Sequence, residues 1–426
     1  VFATIPVMLN PRMVSITQRF DAASIAADDL FASVTATLDQ SGIAVSAGES
    51  IAIAAGSRGI ADIAAIVTAV VAWVKSRGAD PFLVPAMGSH GGATAAGQFE
   101  VLESYGITES RVGAPIRSAM DVIELARGDS EIPVYMDRHA AEADGVILVN
   151  RVKPHTDFHG FPESGLCKMA VIGLGKHKQA LAVHSYGANG LKNHILPAAR
   201  AICGSGHIRG GLAIIENAVE QTLRVEGIPV ADILTREPEL LEIARDAMAS
   251  LPVDDIDVLI VDCFGKDISG TGIDTNIIGR IRLLGEEEPD RPRIKSIIAR
   301  SLTPASHGNS IGMGLVDVIT RKFYEAIDFA ATYENGITSS FLERGKLPVV
   351  AEDDHQAFAI ALRGAALGPD TEANRKNARI VHAHSSLHLE RLRVSESIAE
   401  ELRGRDAIAI GPSGGLFTEN GIPDLD

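Results

Sequence analysis

Aromatic side chains are scarce, at 4% of 426 residues with a single Trp, so the interior has to be built from Ala, Val, Ile and Leu. With 41 glycines, that composition suits an α/β protein with many close helix–strand packings. Cysteine is also rare. Cys167, Cys203 and Cys263 stand far apart and form no Cys-X-X-Cys pair, which excludes a zinc ribbon or a thioredoxin-type motif. A sparse, odd cysteine count fits a reducing cytoplasm. Basic excess is absent: the net charge of −16 argues against a nucleic-acid partner, because phosphate backbones need a basic face. Long apolar runs are absent too. Ile60–Val74 carries an Asp and falls short of a membrane span. The first residues show no basic stretch followed by an apolar one, so no secretory leader is expected. These absences predict a cytoplasmic protein without nucleic-acid or membrane partners, and they leave its oligomeric state open.

What is present is a strand–turn–helix alternation. Ile51–Ala55 reads as a buried strand, Gly56-Ser57-Arg58-Gly59 as a tight turn, and Ile60–Arg77 as a helix. Pro81–Ala86 is the next strand, ending in Met87-Gly88-Ser89-His90-Gly91-Gly92 ahead of another helix. This is the parallel, doubly wound pattern. Leu251-Pro252 begins a second unit, with strands at Val258–Asp262, Lys295–Leu302, Leu347–Val350 and Ile380–Ala383 and helices at Val316–Ala331 and Asp353–Leu362. The expected fold class is α/β: two α/β domains with mainly parallel sheets and an active site in the cleft between them. The expected domains are 1–252 and 253–402, with 403–426 returning to the first.

The densest chemistry lies in Asn150–Tyr186, which holds four of the 13 histidines, four lysines and an arginine. It follows the strand Gly145–Val149, and polar residues beyond the carboxyl end of such a strand sit where open α/β sheets bind ligands. Other strand ends deliver Ser57-Arg58, Ser89-His90 and Lys266-Asp267. If the strands are parallel, these loops share a rim, and histidines there suit proton transfer or metal ligation. A plainer account of His90 is a turn histidine between flexible glycines. His155 and His159 have zinc-ligand spacing for a helix, but Pro154 and Gly160 oppose a helix there. Lys168 lies in the apolar run Leu166–Val171, where a lysine is costly unless paired, neutral or covalently used. Lys176 and Lys178 are equally well explained by a solvated loop. His184 on its own reads as a capping or packing residue, and His382, His384 and His388 as surface or packing residues.

Ser-Arg after a first strand, Gly-Ser-His after the second, Pro-His, Gly-X-X-Lys and a histidine 16 residues further on together resemble the nickel-dependent lactate racemase family. The likeness runs from residue 51 into the second domain, where Gly265-Lys266-Asp267-Ile268 is similar to a family turn. It implies a nickel pincer nucleotide held covalently by Lys168 through a thioamide, and His184 as the nickel ligand. By the same carry-over His90 and His155 are the acid/base pair, with His159 competing for the second place, and Arg58 grips the substrate carboxylate. Lys176 and Lys178, with Lys153, are expected to hold the cofactor phosphate. Ser89 and Lys266 complete the expected substrate contacts. The implied partners are a small carboxylate substrate and the enzymes that make the cofactor.

This chain departs from the family pattern in places. Ala55 stands where the family has an acidic residue, and Gly59 where it has a proline. The second-domain turn reads Ser269-Gly270-Thr271-Gly272-Ile273-Asp274-Thr275-Asn276, without the aromatic and the lysine that help bind lactate. A wider pocket follows, with Asp274, Thr275 and Asn276 expected on sugar-like hydroxyls. The function expected is racemisation or epimerisation of a 2-hydroxy acid larger or more hydroxylated than lactate. The alternatives are a lyase or hydrolase with zinc or manganese on His90, His155 and His159, and a non-catalytic anion sensor.

Overall fold

The computed structural model describes residues 10–56, 59–368 and 371–425. The chain divides into two compact units, Asp21–Met248 and Ala249–Asp426 with the segment through Phe20. β1 (Arg12–Gln18) opens the chain and belongs to the sheet of the second unit.

In Asp21–Met248, α1 (Ala27–Gln40) precedes β2 (Ser50–Ala55), α2 (Ile63–Ser76), β3 (Asp80–Pro85) and α3 (Ala95–Ser104). The ribbon β4 (Val122–Leu125) and β5 (Val134–Asp137) comes next, then β6 (Gly145–Arg151). Helix α4 (Leu166–Lys168) runs on into a π-helical turn at Met169–Gly173 and is followed by α5 (Lys176–His184) and α6 (Ile195–Gly204). β7 (Ile208–Glu216), β8 (Thr222–Pro229) and α7 (Ile233–Asp246) complete the unit. The five-stranded sheet has the order β3-β2-β6-β7-β8, with only β8 antiparallel. β2 and β6 are buried on both faces, which is why they read as continuous apolar runs. Ile51 and Ile53 of β2 and Ile147 and Val149 of β6 join one core with Leu30, Val34 and Leu38 of α1 and Ile66, Val67, Val70 and Trp73 of α2. Each such fully buried side chain contributes about 1.5–3 kcal/mol, so this core fixes the sheet and with it the loops at its rim.

In the second unit, β9 (Asp255–Phe264), β10 (Arg293–Leu302), β11 (Val318–Thr320), β12 (Val349–Ala351) and β13 (Ile380–Ala383) run parallel. β14 (Arg391–Ser395), β1 and β15 (Ile408–Gly415) extend this sheet antiparallel, in the order β12-β11-β10-β9-β13-β14-β1-β15. Four expectations are corrected here. The boundary falls at Met248/Ala249, and β1 pairs with β14 and β15 instead of serving the first domain. The carboxyl-terminal segment stays with the second unit: Leu416, Phe417 and Ile422 fill its core beside Phe358. No single helix spans Val316–Ala331. β-Branched residues make β11 instead, and Thr320 and Asp328 cap two separate helices, α8 (Arg321–Glu325) and α9 (Phe329–Ser339). Among the described residues no helix is long and apolar enough to cross a membrane.

Candidate active site

Because β2, β3, β6 and β7 are parallel, the loops after them share one rim of the first sheet. Arg58 and Ser57 lie outside the described residues. The loop after β3 carries Ser89 and His90 and needs its glycines. Gly88 and Gly91 have φ of +60° and +64°, and a Cβ on Gly91 would lie 2.5 Å from the backbone of Gly97. Ser89 is half-buried and His90 is exposed on this turn. The buried Gln98 donates to the carbonyls of Gly88 (2.9 Å) and His90 (3.3 Å), fixing the turn from α3.

The loop after β6 brings His155 against Lys168, with His155 Nε2 in contact with Lys168 Nζ. The Asp157 N–H donates to His155 Nδ1 at 3.0 Å. The contact brings His155 to the lysine. His159 is exposed and turned towards Glu163, 3.7 Å from its carboxylate.

Lys168 stands in the first turn of α4, whose π-helical continuation packs on the rim. The Gly88 N–H donates to Gly173 O at 3.3 Å, and a Cβ on Gly173 would lie 2.7 Å from Ala86 O. A π-turn at such a place re-aims the residues before and after it. His184 closes α5 and is partly buried. Burial, then the positive charge of Lys168, pushes its pKa down to about 4 against the pull of Asp157. Its ring is neutral at neutral pH, the form that binds a metal. Burial, then the Glu237 carboxylate, raises the thiols of Cys167 and Cys203, the latter to about 11.

Other expected site residues take structural roles. Lys176 is 0% exposed and pairs with Asp137 at 3.1 Å. It also donates to Gln98 Oε1 at 3.1 Å and to Pro85 O. Enclosed this way, its ammonium is not available to a cofactor phosphate, and burial lowers its pKa. Lys178 is exposed, its Nζ 4.6 Å above the Tyr135 ring. In the second unit Lys266 lies after β9, donating from its backbone to Ser306 Oγ and from Nζ to Gly270 O, both at 2.8 Å. Asp274 caps the short helix Thr275–Ile278 by accepting from the Asn276 N–H at 3.0 Å, and Thr275 is 1% exposed. Asp274 thus serves as a buried helix cap. Among the described residues no group of three or more His, Cys, Asp or Glu could hold a metal, so His90, His155 and His159 do not form a zinc site.

Three residues escaped sequence reasoning. Glu163 is 1% exposed and accepts from the backbone of His155 at 2.6 Å and of Gly160 at 3.1 Å. Glu237 and Arg245, on α7, bond to Cys167 and Glu163. Glu163 lies inside the motif-rich stretch, but nothing in the sequence pairs α7 with it.

Fold and rim together define an α/β protein whose parallel strand ends bring a lysine amine and histidines to one edge of a sheet. Residues 43–194 match the lactate racemase N-terminal domain. The fold matches the lactate racemase apoprotein from Thermoanaerobacterium thermosaccharolyticum with a TM-score of 0.52 at 11% identity, over 88% of this chain and 99% of that one. No curated protein matches the chain. The family match thus covers residues 43–194 of a chain whose fold is similar to that apoprotein's.

Proposed function

We propose that the protein is a racemase or epimerase of a 2-hydroxy acid that uses a nickel pincer nucleotide joined to Lys168. The observation that carries this is the contact of the Lys168 amine with His155 Nε2, beside a His184 ring whose pKa is held at about 4. The donor set fits the group. A lysine amine can form the covalent link, and a neutral imidazole offers nickel a lone pair. When bound, the cofactor supplies an acceptor for hydride from C2 of the substrate. The chain's own residues supply the rest. His155 and His90, on the loops after the two strands that flank β2, move the hydroxyl proton, one on each side. Arg58 is proposed to hold the carboxylate.

The test follows the C2 hydrogen. Protein co-expressed with the cofactor-making enzymes, given enantiopure lactate and longer sugar acids in D2O, should invert C2 in at least one of them without taking up deuterium there. Deuterium at C2 at the rate of inversion would mean proton abstraction from carbon and would overturn the reading.

A further inference from the structure

We propose that α7, which lies outside the matched segment 43–194, is a brace that sets the Lys168–His155 contact, with Glu237 and Arg245 as its two positioning residues. This deepens the reading of Lys168 as the reactive amine and rests on it.

Glu237 reaches the start of α4. Its Oε2 accepts the Cys167 N–H at 3.0 Å, and that amide belongs to the residue next to Lys168. Helix amides in the first turn lack intrahelical partners, so a distant carboxylate here replaces a local cap. No side chain within α4 does this work: Gly165 precedes the helix and offers no side-chain acceptor. Gly165 also makes room for the acid, since a Cβ there would lie 2.5 Å from the Glu237 carboxyl carbon.

Arg245, two turns further along α7, donates to Glu163 Oε1 at 3.1 Å. The other oxygen of the same buried carboxylate accepts the His155 N–H at 2.6 Å. One rigid helix thus holds the backbone of both partners: Lys168 through Glu237 and Cys167, and His155 through Arg245 and Glu163. A helix holds such spacing better than a loop does.

The test uses the protein without cofactor and reads no turnover, so its failure is separate from failure of the racemase reading. N-acetoxysuccinimide is applied at one pH, and acetylation of Lys168 is compared with that of the exposed Lys75 by peptide mass mapping. His155→Ala sets the value for a broken contact and should move the Lys168/Lys75 ratio at least threefold. Glu237→Ala should move the ratio to that same value, and Arg245→Ala should move it in the same direction. Glu237→Gln, which keeps an acceptor for the Cys167 amide, should stay within a factor of two of the unsubstituted protein. A general loosening of the fold would not be rescued by glutamine. Arg245 is partly exposed, so its variant gives a result even if Glu237→Ala fails to fold. Three outcomes overturn the brace: an unchanged ratio in both α7 alanine variants, failure of Glu237→Gln to rescue, or a His155→Ala variant that leaves the ratio where it was.

Discussion

Lys168→Ala should abolish cofactor attachment and lower the rate of 2-hydroxy acid inversion by on the order of 10³-fold or more, the scale expected when a covalent anchor is lost. The same change should leave the fold almost untouched, within about 1 kcal/mol, because the Lys168 side chain is only partly buried. The two effects separate because the amine does chemistry and little packing. It meets His155 Nε2, and that ring is held by the Asp157 amide at Nδ1 and by Glu163 at its backbone. Lys168→Arg should fail equally: a guanidinium keeps the charge but offers no amine nucleophile. Inversion assays with each variant, alongside urea unfolding, check both halves of the expectation. Activity retained in Lys168→Ala would remove the lysine from the chemistry.

Lys176→Met should destabilise the first unit by about 3–5 kcal/mol, the cost of leaving a buried charge without its partner. Asp137 is 0% exposed and caps the short helix Arg138–Glu142 by accepting the Ala140 N–H at 3.0 Å, so it cannot turn to solvent when the ammonium is removed. Gln98 would lose a donor as well, and Gln98 is what holds the Ser89-His90 turn to α3. Lys178→Met is the control: exposed above the Tyr135 ring, that lysine should cost no more than about 1 kcal/mol. The double change Lys176→Met with Asp137→Leu should recover much of the loss, because paired removal leaves no orphan charge. Urea midpoints for the three variants decide it. Equal midpoints for Lys176→Met and Lys178→Met would contradict the assignment of Lys176 as a structural ion.

These two lysines mark where the sequence could be read and where it could not. Lys168 stood out because its neighbours are apolar, and an amine in such company requires a reason. Lys176, eight residues on, looked like a loop residue because its partners are Pro85, Gln98 and Asp137, which no local pattern connects. The parallel strands were legible as apolar runs between glycine-rich turns, and with them the shared rim. The role of β1 was not: a single amphipathic strand carries no signal for partners at β14 and β15, some 375–400 residues away in the chain. Asp274 and Thr275 were read by their hydroxyl-binding chemistry, yet an Asp before a short apolar helix is equally a cap, as Asp274 is here. Glu237 could not have been singled out, since an acidic residue early in a helix satisfies the dipole without any further role.

The central claim is that one amine, Lys168, carries the cofactor. The most direct measurement is mass spectrometry of protein co-expressed with the cofactor-making enzymes, on the intact chain and on the peptide containing Lys168. The account predicts a single added mass that maps to Lys168 and disappears in Lys168→Ala, accompanied by bound nickel. An active, nickel-containing protein in which Lys168 is unmodified would contradict it.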